Sequence, residues 1–271
     1  MGQSGAFLVA IGIFLSRIAG LIRERVFAHY FGNSDAGDAF KAALKIPNFL
    51  QNLFGEGVLS ASFIPVYANL IAQKYDEDAQ KVAGVVFTLL MTMVSILVLG
   101  GVLATPWMID VIAPGFHGDK RDLTILLVQI FFPGVGFLVL SAWCLGVLNS
   151  HRKFFLSYFA PVVWNITIIG FLMYFGPRLD QAHLAVKIAW GLVAGSVLQF
   201  LVQVPMTLRL VKKVRLSWNI RNSHAAMVTK NFLPVVVSRG VVQVSAYIDN
   251  ILASFLPAGA VSALAYSQTL Y

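Results

Sequence analysis

Long stretches without charge are the feature of this sequence that most restricts its fold. Residues 82–105 and 157–176 contain no Asp, Glu, Lys or Arg. About 20 apolar residues are enough for an α-helix to cross the hydrocarbon core of a bilayer. Only 12% of the residues are charged, against about 25% in soluble domains, and 58% are hydrophobic. The sequence therefore predicts an all-α polytopic membrane protein.

The apolar pattern divides into segments that are predicted to be helices in the membrane. The second segment is too long for one straight span, and Pro47 and Pro65 are expected to break or kink it. Irregular backbone at membrane depth needs cover from protein or a wet cavity, so this segment is predicted to line a cavity. Pro47, Pro65 and Glu56, which lies between two glycines, are candidate hinge residues, although Glu56 is equally explained by a wet turn. The predicted segments are 6–31, 38–73, 82–105, 122–149, 157–176, 183–210, 231–256 and one that begins near 260.

The basic residues between these segments are unevenly shared between the two sides of the membrane. Cytoplasmic loops of membrane proteins carry an excess of Lys and Arg, which predicts a cytoplasmic N-terminus here. With that orientation the cytoplasmic connections hold Lys74, Lys81, Arg152, Lys153, Arg209, Lys212, Lys213, Arg215, Arg221 and Lys230. The opposite side holds only Lys120, Arg121, Arg178 and Lys187.

The distribution of polar residues predicts three parts. Residues 1–215 are expected to form an N-terminal transmembrane lobe of six helices, 216–230 a basic cytoplasmic linker, and 231–271 the beginning of a second lobe. The apolar pattern still runs at the last residue, so we expect a fragment of a longer transporter-like chain. With an offset of 225 residues, 24–31 aligns with 249–256, and an acidic residue aligns with an acidic residue. This similarity is either a parallel duplication or a chance match.

Two arginines in the first segment are candidate substrate-binding residues. Arg17 and Arg23 are six residues apart, about 9 Å along a helix, and Gly20 between them leaves room for a ligand or another helix. A charge near the bilayer centre costs about 2.5–3.5 kcal/mol or more, so it needs a reason. Guanidinium groups suit phosphate or carboxylate, and this favours an anion in a cavity. The alternative is that these side chains only reach the lipid headgroups.

Further charges follow in the second and seventh segments. Asp38, Lys41 and Lys45 are spaced to share one helix face, where Asp38 and Lys41 are expected to form a local ion pair and Lys45 to remain available. Asp249 is a candidate site for a coupling cation or proton, or else a structural carboxylate with a partner on another helix. Arg239 lies ten residues before Asp249, too far to pair with it within one helix.

Several function classes find no support in the sequence. It contains no nucleotide-binding loop, no His/Cys set with metal-ligand spacing and no nucleophile elbow. We therefore expect no enzyme activity, no cofactor and no metal site. The sequence pI is about 9.7. In so apolar a chain, basic loops near anionic lipid explain this value better than a nucleic acid partner does. Cys144 is the single cysteine and is interpreted as a small buried hydrophobe.

Two strings carry a resemblance to a known family. They are SRIAGLIRE at 16–24 and FGNSDAGDAFKAALKIPNFLQNLFGEGVLSASFIPVY at 31–67. Both closely resemble the start of the MurJ/MviN family of lipid II flippases, in the multidrug/oligosaccharidyl-lipid/polysaccharide (MOP) exporter superfamily. The resemblance implies a MOP-exporter-type helical bundle of two six-helix lobes with further helices. This chain would then hold the first lobe and the start of the second, and its missing second lobe would be a partner.

The resemblance also implies a function and a site. It implies transport of lipid II, an undecaprenyl-pyrophosphate-linked peptidoglycan precursor, from the inner to the outer leaflet of the bacterial cytoplasmic (inner) membrane, by alternating access through a cationic cavity. The positions that match charged cavity positions of the family, or flank its motif, are Arg17, Arg23, Asp38, Lys45, Ser16 and Glu24.

The chain departs from the family pattern at two positions. The family often has an arginine where this chain has Gln51-Asn52, and usually one in the eighth helix where this chain has Thr269. Another cation is expected to replace the lost phosphate contact, or else the substrate differs. The alternatives to a lipid II flippase are a cation-coupled drug or polysaccharide-lipid exporter of the same superfamily, and a non-transporting membrane scaffold.

Overall fold

The computed structural model describes residues 3–53, 57–212, 217, 226–228, 230, 234–235, 238 and 247–270. These residues form helices and turns, with no strand among them, which confirms the predicted all-α class. Residues 247–254 are also helical. The longer helices are α1 (Gln3–Phe31), α2 (Asp35–Asn52), α3 (Val58–Ala72), α4 (Asp76–Ile112), α5 (Gly118–Ser150), α6 (Phe154–Phe175), α7 (Gln181–Val211) and α8 (Ala260–Leu270).

Four of these helices are long and apolar enough to cross a membrane, namely α4, α5, α6 and α7. This number refers only to the part of the chain that the structure describes. Each corresponds to one predicted segment and begins two to six residues before it. The polytopic character expected from the uncharged runs is therefore present in the structure.

The long second segment is two helices, and neither proline ends one of them. Pro47 lies inside α2 and Pro65 lies inside α3, so neither breaks its helix, while a kink or a hinge at either proline stays a prediction. Membrane helices tolerate proline because neighbouring groups satisfy the freed carbonyl. Residues 53 and 57, which have π-helical conformation, mark where regular α-helix stops. Glu56 lies outside the described residues, and its role as a hinge stays a prediction.

Helices α2 and α3 run in the same direction and the other consecutive helices alternate, so the turns gather at two ends of the bundle. One end, which we call the α1–α2 end, holds the α1–α2, α4–α5 and α6–α7 turns; there Gln181 Nε2 donates to the Tyr30 carbonyl oxygen at 3.0 Å. The opposite end, the α3–α4 end, holds the α3–α4 and α5–α6 turns. There the Tyr67 hydroxyl lies 3.2 Å from His151 Nε2.

Helix α5 forms the centre of the described bundle. It packs against α2, α4 and α7, and Phe131 and Phe132 on α5 are fully buried. Helix α1 packs against α6, which in turn lies on α7. Small residues permit close approach of membrane helices, and Gly195 on α7 leaves the space that the Trp164 ring of α6 fills. This packing positions Trp164 beside α1.

Candidate functional site

A cavity of about 390 Å³ lies beside α1, α2, α6 and α8. Its wall combines basic, acidic, amide and aromatic side chains, an unusual composition within so apolar a chain. Its lining residues are Arg23, Glu24, Lys41, Leu44, Lys45, Asn48, Gln51, Trp164, Ala265, Gln268 and Thr269.

The Arg23 side chain is held from three directions. Its Nη1 donates to Asn165 Oδ1 at 3.0 Å and its Nη2 to Glu24 Oε1 at 2.7 Å. The guanidinium also lies over the Trp164 ring, 4.8 Å from its centroid. Trp164 is fixed in turn, because its Nε1 donates to Ser196 Oγ at 3.2 Å. The arrangement orients a planar cation at the cavity wall before any ligand arrives.

Lys41 is the second cation of this group and is only 7% exposed. Its ammonium donates to Glu24 Oε2 and lies 4.4 Å from the Phe27 ring centroid and 5.1 Å from that of Tyr266. Glu24 therefore bridges two cations, one on its own helix and one on α2. The expected local pair between Asp38 and Lys41 was wrong, because the Lys41 side chain turns toward α1.

Lys45 lies one helical turn beyond Lys41 and also lines the cavity. It interacts electrostatically with Asp249, and its carbonyl oxygen accepts a hydrogen bond from the Tyr247 hydroxyl at 3.1 Å. Among the lining residues there are three cations, Arg23, Lys41 and Lys45, and one carboxylate. A cavity wall with excess positive charge attracts an anion, and a low dielectric strengthens that attraction.

Asp38 lies away from the cavity and is 1% exposed. Its Oδ2 accepts from Lys120 Nζ and from the Gly259 backbone N–H, both at 2.8 Å, and its Oδ1 accepts from the Ser262 N–H at 2.7 Å. The carboxylate thus joins α2 to α5 and to the start of α8 at the α1–α2 end. This geometry gives Asp38 a structural connection, and the substrate contact that the resemblance implies for it stays a prediction.

Arg17 and Ser16 are not among the residues that line the cavity. Arg17 is exposed and lies seven residues before Glu24, which puts it on the same face of α1 about 10 Å toward the α3–α4 end. A Cβ on Gly20, between them, would meet nothing within 4 Å, so this strip of α1 is open. Asp249 is exposed, and Arg239 lies outside the described residues.

Sequence reasoning missed the contribution of α6. Asn165 is 5% exposed in a predicted span, and its Nδ2 donates to the Pro161 carbonyl oxygen at 2.9 Å while its Oδ1 accepts from Arg23. An amide in the middle of an uncharged segment needs hydrogen-bond partners, and that signal was available. That its partner would be Arg23 depends on the packing of α1 on α6, which the sequence does not state.

Both departures from the family pattern fall in the cavity wall. Gln51 and Thr269 line it together with Lys41. The Thr269 hydroxyl donates to the Ala265 carbonyl oxygen at 3.0 Å within α8. Within the described ranges there is no group of three or more His, Cys, Asp or Glu side chains that could hold a metal ion.

Fold and site together define a class: a polytopic helical membrane protein in which α1, α2, α6 and α8 line a cavity with an excess of positive charge. The family model named "Lipid II flippase MurJ" matches residues 27–271. The chain belongs to the lipid II flippase MurJ family, which confirms the resemblance carried by its two strings.

Individual relatives agree with this assignment. The chain is 32% identical to the lipid II flippase MurJ of Burkholderia cenocepacia over 94% of its own length and 50% of that protein. It is 33% identical to the probable lipid II flippase MurJ of Haemophilus influenzae, over 94% of its own length and 52% of that protein. The chain spans about half the length of the curated relatives it matches.

A solved structure has the same fold. It is a structure of "Lipid II flippase MurJ, inward closed conformation", and it superposes with a TM-score of 0.81 at 28% sequence identity. The match covers 98% of this chain and 54% of that one. The expected bundle type, a first lobe followed by the start of a second, is therefore confirmed.

Proposed function

We propose that this chain forms the first lobe, and the entry into the second, of a flippase that moves lipid II from the inner to the outer leaflet of the bacterial cytoplasmic membrane. One observation carries the proposal. Arg23, Lys41 and Lys45 converge on one cavity, and Glu24 is the one carboxylate among its described lining residues. A diphosphate is the part of lipid II that such a cluster would hold.

Glu24 defines how the diphosphate would bind. One of its carboxylate oxygens contacts Arg23 and the other contacts Lys41. Glu24 therefore occupies the position that a bidentate anionic ligand would take. A diphosphate offers more acceptor oxygens and more negative charge than one carboxylate. Charge-assisted hydrogen bonds contribute about 1.5–3 kcal/mol each. In our proposal the substrate competes with Glu24 for both cations and recruits Lys45 as a third.

The transport step follows from the position of the cavity between lobes. With the N-terminus in the cytoplasm, the α1–α2 end faces outward, and the Asp38 contacts to Gly259 and Ser262 hold that end closed. Rocking of one lobe against the other exposes a central site to each leaflet in turn. The open strip of α1 between Glu24 and Arg17 leads from the cavity toward the cytoplasmic end. The prenyl tail stays in lipid throughout, and no covalent step, cofactor or catalytic residue is needed.

The test is complementation in a bacterial strain whose resident flippase is depleted. The complete reading frame that contains residues 1–271 is expressed as wild type, Arg23→Ala and Arg25→Ala. Arg25 is an exposed neighbour on α1 that does not line the cavity, so it controls for loss of one positive charge. We expect Arg25→Ala to support growth and Arg23→Ala to fail at equal membrane levels. Normal growth with Arg23→Ala would refute the role of the cavity.

The rival functions give different results in the same strain. A cation-coupled drug exporter would be expected to offer acidic and aromatic walls to a cationic drug, whereas three cations line this cavity. Such an exporter would lower the accumulation of a cationic dye without restoring growth. A non-transporting scaffold would not restore growth as wild type or as either variant.

A further inference from the structure

A second cavity, of about 340 Å³, is an apolar groove on the outside of the bundle. Helices α4 and α7 form its walls and α5 forms its floor. The groove is lined chiefly by Phe87, Trp143, Phe200, Leu201, Val204 and Leu208. Leu201 and Leu208 are about half exposed, at 52% and 50%, so the groove is open along α7 in the described part of the chain.

A polar pocket of about 230 Å³ continues this groove at the α3–α4 end. On α7 the two linings are adjacent in sequence, since Leu208 lines the groove and Arg209 lines the pocket. On α4 Gln80 lines the pocket and Phe87 the groove; they are seven residues apart and therefore share one helix face, separated by about 10 Å. We call the groove and the polar pocket together the elongated site, which is polar at the helix ends and apolar toward the membrane interior.

The polar pocket has an excess of positive charge. Arg209 and Lys212 are both exposed and line it, and neither forms an ion pair with any residue that the structure describes. Asp76 is the acidic residue in its wall. Burial lowers the pKa of His151, at the same wall, which favours the neutral ring, and its Nε2 lies 3.2 Å from the Tyr67 hydroxyl.

We propose that this elongated site binds an anionic phospholipid, with its phosphate between Arg209 and Lys212 and one acyl chain in the groove. Basic pockets at the ends of membrane helices are a known mode of recognising anionic headgroups. The bilayer supplies the occupant, and the charge of the pocket selects an anionic headgroup over a zwitterionic one. The proposal requires that the chain lies in a membrane, and it does not depend on the proposed transport of lipid II.

The headgroup is tested with the complete protein purified in detergent. Binding of phosphatidylglycerol and of phosphatidylcholine with identical acyl chains is measured by native mass spectrometry. We expect wild type to bind phosphatidylglycerol at least about fivefold more tightly, and Arg209→Gln/Lys212→Gln to lose that preference. The matched control is Arg178→Gln/Lys187→Gln, which removes the same amount of charge at the α1–α2 end. This control should keep the preference for phosphatidylglycerol. Equal binding of both lipids by wild type, or loss of preference in the control, would overturn the proposal.

The acyl chain is tested separately. Val204→Trp fills the groove and should weaken phosphatidylglycerol binding at least about fivefold, whereas Val202→Trp, on the same helix but outside the groove, should not. Thermal unfolding of each variant shows that the fold is kept. Inorganic phosphate and dihexanoyl phosphatidylglycerol should not displace long-chain phosphatidylglycerol at concentrations at which the long-chain lipid saturates the site. Competition by inorganic phosphate at those concentrations would show a simple anion site and contradict a lipid site.

Discussion

Glu24 is the residue on which the balance of charge in the cavity depends. It lies between Arg23 and Lys41 and contacts both. Removing one partner of a buried ion pair leaves an uncompensated charge, which costs more than the pair itself contributes. The like charges of Arg23 and Lys41 would then lie close together without a counter-ion. The cavity therefore depends on an anion, whether internal or bound.

This dependence predicts the behaviour of Glu24→Gln. We expect the free energy of unfolding to fall by about 2 kcal/mol, because two cations lose their carboxylate. Added inorganic diphosphate should raise the free energy of unfolding of Glu24→Gln by more than it raises that of wild type. The measurement is thermal unfolding in detergent with and without diphosphate. Glu77→Gln, an exposed change on α4, is the control. Equal responses to diphosphate in Glu24→Gln and Glu77→Gln would contradict the assignment.

Basic residues end three helices at the α3–α4 end in an unusual conformation. Lys74, Arg152 and Lys212 have positive φ angles of 61°, 59° and 56°. After α5 the Lys153 N–H donates to the Leu148 carbonyl oxygen at 2.8 Å and the Arg152 N–H to that of Asn149 at 3.0 Å, which is a Schellman motif. Glycine usually occupies the position of Arg152, since it avoids the steric cost of its Cβ.

The Schellman motif gives a prediction with an internal control. Arg152→Gly and Arg152→Ala both remove the charge that interacts with the helix dipole, but only glycine relieves the left-handed backbone. We expect Arg152→Gly to be more stable than Arg152→Ala by about 1 kcal/mol, or about 2–4 °C in Tm. Differential scanning fluorimetry of the two variants measures this difference. If their Tm values coincide, residue 152 does not hold a strained conformation.

At the scale of the elements, the contact between α2 and the start of α8 closes the α1–α2 end. Besides the Asp38 hydrogen bonds, two close backbone approaches act there. A Cβ on Gly115 would lie 2.2 Å from the Ser254 carbonyl oxygen, and one on Gly259 would lie 2.5 Å from the Asn33 Cβ. No side chain fits at either glycine without movement of the backbone. Among the described residues, these close contacts between the two lobes lie at the end that our proposal places outside.

Asp38→Asn should loosen this closure. The amide keeps one acceptor oxygen, so it loses the charge opposite Lys120 and one of the bonds to α8. We expect a cysteine placed at the buried Ser262, in a Cys144→Ala background, to react faster with a membrane-impermeant thiol reagent, by about tenfold or more. Asp35→Asn is the control, because Asp35 also pairs with Lys120 but is 65% exposed. Unchanged labelling in Asp38→Asn would mean that other contacts hold this end.

The ends of α5, α6 and α7 were predictable to within about four residues and those of α4 less closely, and the errors have physical causes. Most of the predicted segment 231–256 lies outside the described residues. The predicted segment 82–105 corresponds to α4, which extends from Asp76 to Ile112. Uncharged runs report only the part of a helix inside the hydrocarbon, whereas acidic residues in the first turn stabilise the part that projects beyond it. A helix break at Pro47 or Pro65 is not found, because the free-energy cost of a proline inside a helix depends on which neighbours satisfy the freed carbonyl groups.

The site was predictable in part, for a related reason. Arg23, Glu24 and Lys45 stood out because a charge in an apolar segment needs an explanation. Their partners did not stand out, because Trp164 comes from a helix more than a hundred positions away in the chain. Asp38 carried the same signal as Lys45, yet its carboxylate is bound by Lys120 and α8. Sequence thus indicates which residues need partners, and the packing of helices decides which partners they have.

At the scale of the whole molecule, the described helices agree with an internal duplication. The displacement of 225 residues that lays 24–31 over 249–256 also lays Asp35, the first residue of α2, over Ala260, the first residue of α8. The two helix–turn–helix units run in the same direction, as expected for parallel repeats. Such a repeat places α8 as the counterpart of α2, on the other side of the cavity that both line.

The central claim is that the cations of this cavity bind the diphosphate of a lipid-linked substrate. The most direct test is equilibrium binding of lipid II to the complete purified protein, for wild type, Arg23→Ala and the control Arg25→Ala. A lost charge-assisted contact of about 1.5–3 kcal/mol corresponds to a loss of affinity of roughly ten- to a hundredfold. The account predicts that loss for Arg23→Ala alone. Equal affinity of Arg23→Ala and wild type would contradict it.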